Sequence, residues 1–254
     1  MSLPRFHHAP IDPRPGSSLI LGGAEARHAT RVLRLVAGDR AVVFDGGGLA
    51  VLAEVIGGRG ERVELRVLEP HISSRELPIA ITIAPAVLKG DAMDALIRDA
   101  TMLGACALAP IITARTVVPA RASASASVVE RWRRIALASV KQCGRSVLPA
   151  ITAARPLDAA LRDPAWADAT RLVLCEPELL PGSAAATLDP PAAHGRIVVL
   201  SGPEGGWTPE EAALAVDLGW QPWTCSPLTL RAETAPVVAL GILGWRAAAA
   251  FREE

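Results

Sequence analysis

The hydrophobic period of the chain changes near residue 75, and this change limits the fold more than any other feature. Before it, apolar and β-branched runs at residues 40–44, 49–56 and 62–68 are separated by Asp45-Gly46-Gly47-Gly48 and Gly57-Gly58-Arg59-Gly60. In the last run Val63, Leu65 and Val67 alternate with Glu64, Arg66 and Leu68. Period-two alternation between glycine turns predicts a small antiparallel sheet or barrel. One helix is predicted over 24–35, with Ala26, Ala29, Val32 and Leu33 on one side and Arg27, Arg31 and Arg34 on the other. After Pro78 strands and helices alternate. Residues 79–84 form an apolar run broken only by Thr82, as a strand buried on both faces requires. A helix is predicted over 90–103, with Met93, Leu96, Ile97, Ala100 and Leu103 at core spacing. Further strands are predicted at 107–112, 172–175 and 197–200, and further helices at 128–142, 209–218 and 234–250. This grammar predicts an α/β domain with a mostly parallel sheet. The polar stretch 71–78 reads as a linker, giving two domains, 1–74 and 75–254.

Other features narrow the chemistry. The start, MSLPRFHHAP, lacks the apolar core of a secretory signal, and charge or proline interrupts every apolar stretch before bilayer-spanning length. A soluble, cytoplasmic protein with no membrane partner is expected. Cys106, Cys143, Cys175 and Cys225 are scattered, without a CxxC pair or a histidine at ligand spacing. They read as small buried hydrophobes in a reducing compartment, and no metal site is expected.

The 26 basic and 26 acidic residues cancel, which by itself argues against a nucleic-acid partner. The sum hides an uneven distribution. Between Thr113 and Ser146 stand Arg115, Arg121, Arg131, Arg133, Arg134, Lys141 and Arg145 against the single acid Glu130. On a helix that continued to residue 145, Arg131, Arg134, Lys141 and Arg145 would share a narrow face. Val129, Trp132, Ala136, Val140 and Cys143 would face the core. An ordinary solvated face explains this pattern as well as an RNA-binding face does. The small, flexible segment Arg121-Ala-Ser-Ala-Ser-Ala-Ser127 before it tilts the reading toward a grip on a folded polyanion. Because only Lys89 and Lys141 are lysines, an individual arginine carries less weight here than usual.

Two loops concentrate the chemistry. In Leu200-Ser201-Gly202-Pro203-Glu204-Gly205-Gly206-Trp207-Thr208-Pro209-Glu210-Glu211 a buried strand turns sharply into a helix. Thr208 is placed as N-cap, Pro209 at the first helical position and Glu211 at the capping-box position. Gly202, Gly205 and Gly206 let backbone come close to a ligand, at the strand end where open α/β sheets bind one. The Gly-Lys-Ser/Thr of a P-loop, a GxGxxG fingerprint, a GxSxG elbow and an HExxH helix are all absent. A second loop, Thr224-Cys225-Ser226-Pro227-Leu228-Thr229-Leu230-Arg231-Ala232-Glu233-Thr234-Ala235, delivers an arginine and a carboxylate just before the last helix. Arg231 and Glu233 are equally readable as a surface pair with a capping duty or as a pair that orients a substrate.

These loops, in this order, resemble the RsmE family of SPOUT methyltransferases, the 16S rRNA (uracil-N3)-methyltransferases. The family pattern is GPEGG-aromatic followed by L-R-x-E-T-A, matched by Gly202 to Trp207 and Leu230 to Ala235. Arg27-His28, Val32-Leu33-Arg34-Leu35 and Gly38-Asp39 are similar to the family's N-terminal H-x-x-x-V-L-R-x-x-x-G-D. Lys89-Gly90-Asp91, Leu103-Gly104 and Pro110 match a K-G-D…L-G…P segment. Arg131-Trp132, Gln142, Arg145 and Pro149 match R-W…Q-x-x-R…P. The chain departs from the pattern at Met102, where glutamate is usual, around Asp99, where lysine is usual, and at Ser226, where glycine is usual.

The resemblance implies an N-terminal PUA-like β barrel that binds RNA and a C-terminal SPOUT domain, an α/β parallel sheet with a trefoil knot. It further implies a homodimer with S-adenosylmethionine in the knot and 16S rRNA of the small ribosomal subunit as substrate. Carried onto this sequence, the cofactor lies against Leu174, Leu200, Gly202, Gly205, Gly206, Cys225 and Leu230. RNA is expected to meet Arg27, Arg31, Arg34, Arg131, Arg134, Lys141 and Arg145. Methylation at uracil N3 displaces a proton, so a group must take or stabilise it. Arg231 is the candidate to hold the base or its developing anion, with Glu233 or Glu204 as orienter or base; both glutamates are equally readable as structural caps. The alternatives are a SPOUT enzyme acting on a ribose 2′-hydroxyl or a tRNA base, and a catalytically silent RNA-binding protein.

Overall fold

The computed structural model describes residues 3–71, 76–176, 179 and 195–250. By internal contacts the chain forms two units, one of Met1–Glu76 with Leu137–Leu148 and one of Leu77–Ala136 with Pro149–Glu254.

The first unit is built on five strands: β1 (Arg5–His7), β2 (Ser18–Gly22), β3 (Arg40–Phe44), β4 (Ala50–Arg59) and β5 (Arg62–Pro70). They lie side by side in the order β1-β3-β4-β5-β2. The pairs β3/β4, β4/β5 and β2/β5 are antiparallel, as the glycine turns predict. The pair β1/β3 is parallel, a departure that three residues between Pro4 and Pro10 gave no periodicity to foresee. Register shifts between β4 and β5 at Leu52/Ala53 and Val55/Gly57 add twist to this sheet. The alternating Val63, Leu65 and Val67 are all buried, packed with Phe6, Leu19, Leu21 and Val43.

The predicted helix 24–35 is instead a short α1 (Gly23–Arg27) that widens into a π-helical turn, His28–Val32. The wider turn breaks the 3.6-residue period, so Val32 and Leu33 face solvent rather than the core. Arg34, with φ +54°, reverses the chain immediately afterwards.

A segment from within the second expected domain belongs to this unit. Val140 is fully buried against Val42, Phe44 and Ala50, flanked by Leu137 and Leu148. The Leu148 amide donates to Gly46 O at 2.9 Å and the Gly48 amide to Ser146 O at 3.2 Å. β3 is therefore covered on both faces, which explains why Ala41, Val42, Val43 and Phe44 are all apolar.

The second unit contains β6 (Ala80–Pro85), α2 (Asp91–Met102), β7 (Ala107–Leu108), β8 (Ile111–Ile112), α3 (Ala120–Ser123) and α4 (Ala126–Cys143), whose last residues from Leu137 group with the first unit. It continues with β9 (Ala150–Ile151), β10 (Arg155–Pro156), α5 (Leu157–Leu161), β11 (Thr170–Leu174), β12 (Arg196–Ser201), α6 (Pro209–Asp217), β13 (Gln221–Trp223) and α7 (Ala235–Ala250). Six strands form one parallel sheet in the order β13-β11-β12-β6-β7-β9.

Both faces of this sheet are buried. Ile81, Ile83, Ile197 and Val199 pack with Leu96, Ile97, Trp132, Leu240 and Leu243 on one side. Val198, Leu200 and Val173 pack with Leu157, Leu161, Ala212 and Trp220 on the other. Continuous apolar strands are what a doubly covered parallel sheet demands. The sheet order places the carboxyl ends of β6, β12, β11 and β13 side by side. Among the described residues no helix is long and apolar enough to cross a membrane.

Candidate functional site

Loops from three of those strand ends line a cavity of about 620 Å³. The glycine loop Gly202–Trp207 leaves β12, Cys175 and Glu176 leave β11, and residues 224–235 leave β13. Ala92, from the start of α2, and Arg115, from the turn after β8, complete the wall.

The glycine loop is held by groups the sequence only partly advertises. Trp207 is buried, and its Nε1 donates to Leu174 O at 2.8 Å, tying the loop to the end of β11. A Cβ on Gly202 would meet the Trp207 ring at 3.3 Å, so glycine lets this backbone lie on the indole without displacing the ring. Gly206 takes φ +69°, and its amide donates to Pro203 O at 2.9 Å, closing the turn.

Thr208 caps α6 as anticipated, in a capping box with Glu211. The Glu211 carboxylate also accepts the Ala114 amide at 2.7 Å. Glu204 Oε1 accepts the Lys89 amide at 2.9 Å, fastening the loop to the turn after β6. Glu210, beside the cap, is held below the usual carboxylate range, first by a backbone hydrogen bond and then by the Thr208 hydroxyl.

The second loop faces the first across the cavity. The Cys175 amide donates to Trp223 O at 3.1 Å and Thr224 Oγ1 to Cys175 O at 2.9 Å, so the ends of β11 and β13 are joined. Ser226, at the position where glycine was expected, shapes its turn by accepting the Leu228 amide on Oγ at 3.0 Å. The Arg231 side chain is 86% exposed, and its Nη1 lies 3.9 Å from Glu233 Oε1, whose side chain is 26% exposed. Burial pushes the Cys175 thiol up to about 12 and the Cys225 thiol up as well, so both stay protonated near neutrality and act as small apolar groups.

Of the cofactor residues named from sequence, Leu174, Gly202, Gly205, Gly206, Cys225 and Leu230 line this cavity, as do Glu204, Arg231 and Glu233. Leu200 does not. It is fully buried in the core on the α6 side of the sheet, and its neighbour Ser201 reaches the wall instead. Adjacent strand residues point to opposite faces, so an error of one position exchanges wall for core. Trp223 carried no signal in the sequence, and Arg115 stood there only as one cation of the basic cluster. β13 offers only Gln-Pro-Trp as a signal, too short for any periodicity.

Two buried polar atoms in the wall, Ser201 Oγ and Trp223 Nε1, have no hydrogen-bond partner among the described residues. An unsatisfied buried polar group costs about 1–3 kcal/mol, and a ligand with acceptors or donors at this depth would relieve it. Together with glycine backbone and apolar side chains, these atoms fit a ligand carrying a polar heterocycle.

The cations singled out for RNA fare unevenly. Arg31, Arg34 and Arg134 are exposed and make no ion pair with any described residue. Arg27 pairs with Glu61, Arg131 with Asp94, and Lys141 with Glu25. Arg145 is a correction. α4 ends at Cys143, Gly144 takes φ +85°, and Arg145 turns inward to hold Glu76 through Nε and Nη2. Only 3% of its side chain is exposed, so it cannot belong to an RNA-facing helix surface.

Comparison with known proteins gives consistent results. Residues 75–244 match the model of an RNA methyltransferase domain, and residues 21–68 that of an RNA methyltransferase PUA domain. A ribosomal RNA small subunit methyltransferase E from Synechocystis sp. is 35% identical over 227 residues, 88% of this chain and 72% of that one. Among solved structures, a ribosomal RNA small subunit methyltransferase E from Neisseria gonorrhoeae bound to S-adenosyl methionine superposes with TM-score 0.85 and 30% identity. That match covers 95% of this chain and 97% of the other. A putative methyltransferase from Legionella pneumophila, in complex with bound cofactor SAM, superposes with TM-score 0.83 and 28% identity, covering 96% and 97%.

Proposed function

The chain belongs to the RNA methyltransferase family that includes the ribosomal RNA small subunit methyltransferases E, and from that premise we propose that it methylates uracil N3 in 16S ribosomal RNA, using S-adenosylmethionine. The observation that carries this reading is the cavity itself, where both motif loops of the family converge on unsatisfied polar atoms. When bound, S-adenosylmethionine supplies a methyl group already activated on a sulfonium. Leu174, Gly202, Gly205, Gly206, Cys225 and Leu230 hold it through backbone groups and apolar contacts.

Arg231, largely exposed at the lip, holds the uracil and offsets the negative charge that develops as N3 loses its proton. Glu233 orients Arg231 or receives the proton. Glu204 is better suited to positioning than to proton transfer, because one of its oxygens is committed to the Lys89 amide. Residues 1–74 serve as the RNA-binding PUA-like domain and 75–254 as the catalytic domain, with the C-terminal trefoil knot as part of the same reading. A small-subunit rRNA substrate makes the protein cytoplasmic.

Mass spectrometry of ribosomal RNA from cells with and without the gene tests this function. Loss of one 3-methyluridine from the small-subunit RNA is expected; an unchanged modification profile would overturn it. In the purified enzyme, Arg231→Ala is expected to lower turnover by about 10²–10³-fold. Glu204→Gln, whose amide oxygen still accepts from Lys89, is expected to stay within about tenfold of wild type. Near-normal methylation by Arg231→Ala, Glu233→Gln and Glu204→Gln together would remove these assignments.

The protein acts as a homodimer in this reading. On α7, a helix otherwise buried along Ala239, Leu240 and Leu243, Trp245 is 69% exposed. In this reading that indole, apolar in body and on an outer face of α7, is the contact assigned to the partner subunit. Trp245→Glu is expected to convert the dimer to monomer in sedimentation experiments; an unchanged mass would exclude this face.

A further inference from the structure

The rim of the cavity carries a cation that comes from neither motif loop. Arg115 lies in the turn after β8, and that turn is fixed by its own hydroxyls. Thr116 Oγ1 accepts the Thr113 amide at 3.0 Å, and the two threonine hydroxyls lie 3.0 Å apart. From this base, Arg115 Nη1 donates to Gly205 O at 2.8 Å and to Trp207 O at 3.1 Å. The arginine stem packs against Gly205, where a Cβ would come within 3.3 Å of it. One nitrogen thus fixes two carbonyls of the loop that lines the cofactor cavity.

A guanidinium has five N–H donors in a rigid plane. Nε and Nη2 of Arg115 make no hydrogen bond or ion pair with any described residue, and the side chain is exposed at the cavity wall. The acid whose charge it reaches, Glu210, stands beyond ion-pair distance and is occupied by its own cap. An RNA base that enters the cavity leaves its flanking phosphates outside. Adjacent donors in one plane match two phosphate oxygens, which a lysine ammonium matches only as a point charge.

We propose that Arg115 is a positioning residue shared by both substrates: its inner edge fixes the glycine loop against the cofactor, and its outer edge takes a phosphate of the RNA strand presenting the target base. The proposal rests on the methyltransferase reading above. It assigns to Arg115 a role separate from that of Arg231, which meets the base itself.

The test uses the full-length protein, with S-adenosylmethionine alone as one probe and small ribosomal subunits from cells lacking the gene as the other. Thermal unfolding first establishes that Arg115→Lys and Arg115→Gln are folded. Both variants are expected to bind S-adenosylmethionine about tenfold more weakly, because lysine lacks the planar fork and the reach of arginine and glutamine lacks its charge. For the RNA, Arg115→Gln is expected to reduce the slope of log affinity against log salt by about 0.7–0.9, whereas Arg115→Lys keeps it. With Arg115→Gln the loss in methylation appears mainly in KM for RNA, at least at saturating cofactor.

Wild-type cofactor affinity in both variants would overturn the inner contact. An unchanged salt slope and KM in Arg115→Gln would overturn the phosphate contact. Failure of the unsubstituted protein to bind S-adenosylmethionine or methylate the subunits would instead overturn the function on which the proposal rests, so the two failures are distinguishable.

Discussion

Trp207→Ala is expected to abolish S-adenosylmethionine binding and to cost about 3–5 kcal/mol of stability, the largest single effect at this site. The indole does three things at once. It fills the core beside Leu200, Val173 and Trp220, it donates from Nε1 to Leu174 O, and its ring supports Gly202. Alanine opens a cavity, leaves the Leu174 carbonyl unsatisfied and removes the surface on which the loop rests. Trp207→Phe separates these contributions. It restores much of the volume but not the hydrogen bond, so about 1–3 kcal/mol of loss is expected. Denaturant unfolding measures the loss of stability and titration calorimetry with S-adenosylmethionine the loss of binding. Tight cofactor binding by a folded Trp207→Ala protein would show that the loop keeps its shape without the indole.

Arg145 yields the second large effect, and it is one of stability rather than RNA binding. Its guanidinium is almost fully enclosed, whereas Glu76, its partner, keeps 32% of its side chain in solvent. Removing the acid takes from the enclosed guanidinium the carboxylate that Nε and Nη2 hold; removing the arginine leaves a carboxylate that water still reaches. Glu76→Gln is therefore expected to cost about 1–3 kcal/mol, and Arg145→Ala somewhat less because solvent screens the surviving charge. Neither change is expected to alter the salt dependence of RNA binding, measured under conditions where the variants remain folded. A reduced salt slope in Arg145→Ala would return this residue to the RNA surface.

The same arginine marks where reading a sequence stops working. Helical periodicity located α4 to within two residues, yet the extrapolation past Cys143 failed because one left-handed glycine reverses the direction of the next side chain. The long apolar strands β6 and β12 and the alternating β5 were legible because burial on two faces or one face imposes a composition on each. Strands of two or three residues, β1, β9, β10 and β13, carry no period; their neighbours define them. The glycines and the capping box of the site were visible as local chemistry. Groups brought together from distant segments were not: Arg115 on Gly205, Glu204 on Lys89, and Trp207 on Leu174 depend on the sheet order. The expected basic surface was reduced for the same reason, since Asp94, Glu25 and Glu76 neutralise cations far away in sequence.

Glu204, within the glycine loop, and Glu211, in the helix that follows it, are each fastened to a main-chain amide of another segment. A stretch holding three glycines would otherwise be among the most expensive to order, because glycine surrenders more backbone freedom than any other residue. With the loop pinned at its middle and just beyond it, that disorder is removed during folding rather than at the moment of encounter. The entropy lost on ligand binding then falls mainly on the ligand. The glycines admit the ligand closely, and the two carboxylates take back the freedom those glycines would have kept.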